Sequence, residues 1–397
     1  MSLRPYQNVL RITDARRVLL LGFLLRIPIF SAGVVLTLHV VQTLHRSYAE
    51  AGLVAAASTI AIAVSGPWRG KLLDRLGLRR VVLPSLVVSA VCWAIAPFVG
   101  YWMLLVLATI GGLFVVPTFS IIRQGVIAAV PEQQRRTGLS LDGISVELSF
   151  MVGPVAAVWL ATAFNTRIVL FGLEMLGVLV GVVLYAVNPP LRAAVSETDA
   201  AGQVVPRSAW FRAGFLAICA AAAAATIVLG GSDVSIVAAM RDFGAVSSIG
   251  IVLVPWSAGS LIGGLVYGAM SRPVQPFLLL LGLAVATAPM AFATGTWSLA
   301  GLALISGVFC APTITATVDA VSRVVPSVAR GEALGWHGSF MTAGSALGAP
   351  VAGAAIDSWG FGGGFLLVSA LGAVVALAGY VALHLHRSRV RGHALAA

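Results

Sequence analysis

Twelve times along its length this chain runs for about 20 residues with almost no charge, the length a helix needs to cross a hydrocarbon core. The stretches lie near 18–40, 50–68, 81–99, 103–123, 137–162 and 167–187, then near 211–236, 246–270, 274–293, 297–320, 333–356 and 363–384. Inside lipid the backbone must satisfy its own hydrogen bonds, so a chain of this pattern is expected to be an all-α membrane protein of twelve transmembrane helices. Composition agrees. Charged residues make up 10% and hydrophobic residues 59%, with a mean hydropathy of +0.99. A soluble domain carries about a quarter charged residues.

The formal net charge of +11 invites a nucleic-acid reading, but the placement of the charges argues against it. With the N-terminus set in the cytoplasm, 21 of the 25 Lys and Arg fall on the cytoplasmic side. They include Arg4, Arg11, Arg16 and Arg17, then Arg69, Lys71, Arg75, Arg79 and Arg80 in the loop after the second span. Only Arg46, Arg167 and Arg241 face outside, and Arg26 lies within a span. Basic loops on one side are an orientation signal. The expectation is a multi-pass protein of a bacterial plasma membrane with both termini cytoplasmic and no nucleic-acid partner. The first apolar run is too long for a removable signal peptide and lacks a small-residue cleavage site. Cys92, Cys219 and Cys310 lie inside spans, at spacings that suit neither disulfides nor zinc.

The chain also repeats itself. GLFVVPT at 112–118 returns as GVFCAPT at 307–313, an offset of 195 residues. Pro131, Arg135, Leu139, Gly143 and Gly153 recur at the same offset as Pro326, Arg330, Leu334, Gly338 and Gly348. This divides the chain into a six-span half at 1–187, a polar cytoplasmic linker at 188–210 and a second six-span half at 211–397. Six spans return each half to the side it started from, so the two repeats enter the membrane in the same sense. Parallel repeats of this kind belong to transporters that rock about a midplane site. Pro117, Pro154, Pro312 and Pro350 are candidate helix-bend positions, and spans 4 and 10 are expected to loosen at Pro117 and Pro312.

The loop after span 2 reads Gly70-Lys-Leu-Leu-Asp74-Arg75-Leu-Gly77-Leu-Arg79-Arg80. It resembles the major facilitator signature G-x-L-x-D-R-x-G-x-[RK]-[RK]. In physical terms Gly70 permits close helix approach, Gly77 a tight turn, and Asp74 can sit at a helix N-terminus. The resemblance implies that Gly70, Asp74, Arg75, Gly77, Arg79 and Arg80 form a conformational latch. A weakened copy, Gly264 to Gly268 with Arg272, lacks the Asp. RIPIF, SLDGISVELSFMVGP and SAGSLIGGLVYGA look most like actinobacterial drug-efflux-type members of that family. Two features depart from the antiporter pattern. Residues 105–110 read LVLATI and lack the family's Arg in span 4, and Ala156 and Ala157 stand where paired glycines are expected in span 5.

Ionisable groups within spans are costly and point to function. Arg26 lies nine residues past Arg17, ~13 Å deep, and Glu147 eleven past Arg136, ~16 Å deep. Arg26 with Glu147 and Arg123 with Asp142 are candidate pairs, open to exchange of partners, as structural clamps or as coupling switches. Asp233 in span 7 either faces a cavity or caps a helix end. Asp319 in span 10 is a candidate gate residue beside Arg323. Met341, Trp256 and Trp336 are candidates to line an apolar pocket, while Trp102, Trp159, Trp297 and Trp359 suit an aromatic belt.

The expected activity is secondary active transport, namely proton-coupled export of a small amphipathic or drug-like compound by alternating access. Few polar groups lie deep in the spans, which favours neutral or cationic apolar cargo over sugars or multivalent anions. Without a phosphate-binding loop ATP is not expected as direct fuel. No cofactor and no metal are expected, with lipid, protons and the small-molecule substrate as partners and a monomer as the working form. The alternatives are an importer or uniporter of a metabolite and a non-transporting receptor on the same fold. An intramembrane enzyme would need a nucleophile and base at one depth, and no such set stands out.

Overall fold

The computed structural model describes residues 4–191, 205–245, 248–270 and 272–395. Residues 192–204 of the linker lie outside that description, as do the side chains of His384, His386 and His393. Every regular element among the described residues is helical. Ten helices among them are long and apolar enough to span a membrane. They supply span 1 (Thr13–Thr43), span 2 (Glu50–Leu76), span 3 (Leu78–Phe98), span 4 (Tyr101–Ala129), span 5 (Glu132–Ala163) and span 6 (Thr166–Val187). Span 7 (Ala213–Asp242), span 8 (Gly250–Ala269) and span 10 (Thr296–Val324) follow. The last of the ten, Ser327–Ala382, is long enough to cross twice. Its backbone leaves the helix at Gly360 (φ 69°, ψ −176°), which separates span 11 from span 12. The shorter apolar helix Pro276–Phe292 is span 9. The count of twelve is that of the sequence. In the GFGGG run at 360–364, Gly360 is the one non-helical residue.

Local sequence explains most helix ends. Ser47 and Glu50 form a reciprocal capping box at the start of span 2, with Glu50 N–H to Ser47 Oγ at 3.2 Å and Ser47 N–H to Glu50 Oε2 at 2.9 Å. Asn165 caps span 6 by accepting from Arg167 N–H at 2.9 Å. Such caps satisfy amide groups that the helix itself leaves open. Gly77 separates spans 2 and 3 at φ 78° and ψ 172°, a conformation that only glycine adopts without strain.

The chain divides into two compact units. The first holds Leu3–Val204 together with Ser327–Ser339. Its core joins Val35, Leu36, Val54, Leu104 and Leu170, and the side chains of spans 1 and 5 interlock. A Cβ on Gly153 would stand 3.0 Å from the Ile27 carbonyl, and Ser149 Oγ donates to Phe23 O at 3.3 Å. The second unit holds Val205–Pro326 and Phe340–Ala397, with a core of Ile236, Met240, Val252, Leu299 and Phe365. There Thr226 Oγ1 donates to Met341 O at 2.9 Å, tying span 7 to span 11 as Ser149 ties span 5 to span 1. Large apolar side chains remain uncovered by protein, Val155 at 71% and Phe292 at 73% exposure among them, as lipid-facing surfaces require. Trp102, Trp159, Trp297 and Trp359 are exposed as well.

The two copies of the heptapeptide adopt different backbones. Span 4 is interrupted, with helix over Tyr101–Leu113 and Thr118–Ala129 and residues 114–117 between them. Span 10 runs unbroken over Thr296–Val324 with Pro312 inside it, so the expected loosening at Pro312 is not observed. Pro154 and Pro350 also lie within continuous helices. A proline removes one N–H but leaves the remaining ladder intact, and packing decides whether the helix continues. In both copies the carbonyl four residues before the proline loses its helical donor, Leu113 O in one and Val308 O in the other.

The neighbours of these two carbonyls differ. In the first unit Arg69 of span 2 reaches Leu113 O from Nη1 at 3.5 Å. Its Nη2 donates to Val81 O at 3.3 Å and to Ser85 Oγ, and the guanidinium lies 5.7 Å from the centre of the Phe114 ring. In the second unit Gly263 of span 8 backs directly onto Val308, and a Cβ there would overlap the Val308 carbonyl oxygen. Gly259 meets Leu304 O and Gly307 meets Trp256 O in the same manner. Glycines at 259 and 263 therefore bring spans 8 and 10 into backbone contact.

Candidate functional site

Two arrangements in the first unit gather most of the candidate residues. The first is built on span 2. Its last turns present Gly66, Gly70 and Asp74 at four-residue spacing, one helical face. Against that face lies the segment Ser327–Ser339, where Gly331, Gly335 and Ser339 repeat the same spacing. A Cβ on Gly70 would overlap the Gly331 carbonyl, and one on Gly335 would overlap the Gly66 carbonyl. Ser339 Oγ donates to Ala63 O at 2.5 Å.

The close approach brings the Asp74 carboxylate to the start of a helix. Oδ1 accepts from Gly331 N–H and Oδ2 from Glu332 N–H, each at 2.8 Å. A carboxylate there meets both the open amides and the positive end of the helix dipole. The Arg330 guanidinium is within electrostatic reach of Asp74. Of the other signature residues, Arg79 donates from Nε to Tyr185 O and from Nη2 to Ala186 O, both at 3.4 Å, at the carbonyl end of span 6. Arg75 and Arg80 are exposed. Gly66, Gly331 and Gly335 were not singled out from sequence. Their signal was the spacing Gly331-x-x-x-Gly335, opposite Gly66-x-x-x-Gly70.

The second arrangement is a buried charge cluster on spans 1, 4 and 5. Arg26 Nη1 lies 2.8 Å from Asp142 Oδ1, and Arg123 Nε lies 3.8 Å from Asp142 Oδ2. Arg26 is fully buried, and Arg123 and Asp142 are 6% and 2% exposed. The Phe119 ring lies against both cations, its centre 5.0 Å from the Arg26 guanidinium and 5.6 Å from that of Arg123. His337 is buried within electrostatic reach of Arg123.

The pairing corrects one sequence expectation, since Asp142 rather than Glu147 stands against Arg26. Helical rise sets the depth of a Cα, but side chains lean toward the helix N-terminus, so the Arg26 guanidinium sits nearer the N-terminal end of span 1 than its Cα. Glu147 is five residues beyond Asp142, roughly 140° around the helix, and it occupies another, partly exposed face. Asp319 pairs with Arg323 at 3.0 Å on its own helix, one of its oxygens buried without a hydrogen bond. Asp233 is exposed in the interior of unbroken span 7, which excludes the helix-capping alternative. Trp256 packs beside the core of the second unit, with its carbonyl against Gly307.

With this geometry in place, comparison with known proteins is specific. The family model for the Major Facilitator Superfamily matches residues 18–277 and 217–396. The multidrug efflux pump Tap of Mycolicibacterium fortuitum is 28% identical over 366 residues, covering 86% of this chain and 88% of that protein. The staphylopine export protein of Staphylococcus aureus is 27% identical over 146 residues, 36% of this chain and only 37% of that protein. Among solved structures, a bacterial homologue of the iron transporter ferroportin in an outward-facing state superposes with a TM-score of 0.73. It shares 14% identity over 92% of this chain and 98% of its own. The human organic anion transporter MFSD10 gives 0.70 at 16% identity, over 92% and 99% of the two chains. At such identities these structures speak for the fold alone. The family match, the twelve spans and the signature loop agree, and the chain belongs to the Major Facilitator Superfamily, as a multi-pass membrane transporter and not an enzyme.

Proposed function

We propose that this transporter exports a small amphipathic, drug-like compound across a bacterial plasma membrane by alternating access, driven by inward proton flow. In this reading it is a monomer with cytoplasmic termini that needs no cofactor or metal, and its partners are lipid, protons and the cargo. The observation that carries the reading is the Asp74 carboxylate seated on the Gly331 and Glu332 amides. A charge-assisted contact of this kind, set among glycines that let backbones meet, is suited to form and break as one piece. The efflux pump related over 86% of the chain supports the outward direction. Glu147 is partly exposed and Asp233 exposed, and that access makes them our candidates for proton coupling.

Inside-out vesicles acidified by respiration test it. Amphipathic compounds of each charge class are added and proton release is followed for wild type, Asp74→Asn and Glu147→Gln. Release in wild type for at least one class, reduced tenfold or more in both variants, is the expected result. Absence of release for every compound, with counterflow uptake of a metabolite, would instead identify an importer or uniporter.

A further inference from the structure

The cluster at Arg26, Arg123 and Asp142 is unbalanced in charge and in hydrogen bonding. Two guanidinium groups face one carboxylate, so a site that is at least 94% buried carries one excess positive charge. Each guanidinium presents five N–H donors, against the two oxygens of Asp142. The Nε, Nη1 and Nη2 atoms of Arg26 are all buried without a well-formed hydrogen bond, despite the close approach to Asp142. Ser145 Oγ, one turn along span 5 from Asp142, is likewise buried without one. Uncompensated charge within a membrane protein is expensive and marks a site that meets its counter-charge during function.

The surroundings suggest the rest of the ligand. Phe119 lies against both guanidiniums, shielding their faces and leaving their N–H edges to an acceptor. Its ring is partly exposed while the arginines behind it are buried, so it is the cover of the site. From Phe119 an aromatic row continues through Phe30 to Phe150, at ring separations of 6.4 and 5.4 Å, and Phe150 is exposed. Gly22 provides the room for this, since a Cβ there would stand 2.9 Å from Ile122 and 3.2 Å from Arg26 Nη1.

We propose that Arg26 and Arg123 form a subsite for the acidic group of an amphipathic cargo, a carboxylate or similar monovalent oxyanion, whose apolar body lies along Phe119, Phe30 and Phe150. Asp142 is the internal counter-ion that holds the arginines until the acid arrives, and an incoming monoanion neutralises the cluster. This cargo class lies outside the neutral or cationic cargo that the sequence favoured, and it rests on the exporter reading above.

The test uses purified full-length protein in nanodiscs of zwitterionic lipid, with 4-phenylbutyrate, its amide and 4-phenylbutylamine as probes of one shape and three charge states. Binding is read by calorimetry and by the shift in melting temperature. The acid is expected to bind at least tenfold more tightly than the amide or the amine. Arg26→Gln should remove that preference, and Asp142→Asn, which deletes the competing internal carboxylate, should strengthen acid binding several-fold. A purely structural clamp would instead leave Asp142→Asn less stable with no gain in affinity. If either variant fails to fold, the three-probe comparison on wild type still decides. Equal binding of the three probes overturns the proposal. So does equal protection by chloride, which would make this an inorganic-anion site, or loss of acid binding in phosphatidylglycerol nanodiscs, which would make it a lipid headgroup site. Binding needs no gradient, so absent proton release with intact acid preference removes the exporter reading alone. Proton release without acid preference removes the subsite alone.

Discussion

Spans 4 and 10 carry the same Gly-x-Phe-x-x-Pro-Thr pattern, yet one is interrupted over residues 114–117 and the other is continuous. Each has a carbonyl whose helical donor is replaced by proline, Leu113 O before Pro117 and Val308 O before Pro312. The second unit answers with proximity. Gly263 brings the neighbouring backbone against the Val308 carbonyl, a geometry suited to weak Cα–H contacts, and span 10 continues as one helix. In the first unit the neighbour of the corresponding carbonyl is Arg69, whose long cationic side chain brings donors to Leu113 O, Val81 O and Ser85. The two spans also approach closely at Gly112, where a Cβ would stand 2.7 Å from the Ser58 carbonyl oxygen, but the Leu113 carbonyl itself is met by a side chain, and span 4 opens there. The proline creates the defect in both copies, and the neighbour that meets the stranded carbonyl, more than 40 positions away in sequence, differs between them.

That account can be broken most directly at Gly263. Gly263→Ala should cost about 3 kcal/mol, the upper part of the range for overpacking, because its Cβ would fall on a backbone oxygen that cannot move aside alone. Thermal unfolding in nanodiscs reads this, and an unchanged midpoint would mean that spans 8 and 10 are not in backbone contact. Next in size is Arg69→Ala, expected to lose about 2 kcal/mol by stranding the Leu113 carbonyl and the groups near Ser85. The Arg69→Ala and Pro117→Ala pair sharpens the comparison further. Restoring an N–H at 117 gives Leu113 O a helical donor, so the double variant should recover about 1 kcal/mol relative to additivity. Strict additivity would show that Arg69 does not serve that carbonyl. The smallest effect is expected at Pro312→Ala, within about 0.5 kcal/mol, because Val308 O is already covered by its neighbour.

The sequence exposed the fold readily, because twelve apolar stretches, a one-sided set of arginines and a 195-residue repeat each follow from solvent and symmetry rather than from packing detail. Asp74 was legible through the signature it resembles, although it lies in the last turns of span 2 and not in the loop that follows. What lay beyond reach was direction around the helix. Helical rise put Arg26 and Glu147 at one depth, but the lean of a long side chain delivered the Arg26 charge to Asp142. The fate of span 10 was hidden in the same way. The two heptapeptides differ only modestly in helix propensity, with Val115 and Val116 against Cys310 and Ala311, and the backbone contact at Val308 comes from another helix.

The turn at Gly360 bears on how the last two spans behave. With one non-helical residue between them, and with Gly363 packed so tightly that a Cβ would lie 2.6 Å from Trp359 Cβ, the connection stores almost no slack. A long loop lets its two helices enter the bilayer, tilt and settle on separate schedules. Spans 11 and 12 instead share one hairpin, so they are inserted together, and a force applied to one is delivered to the other undiminished.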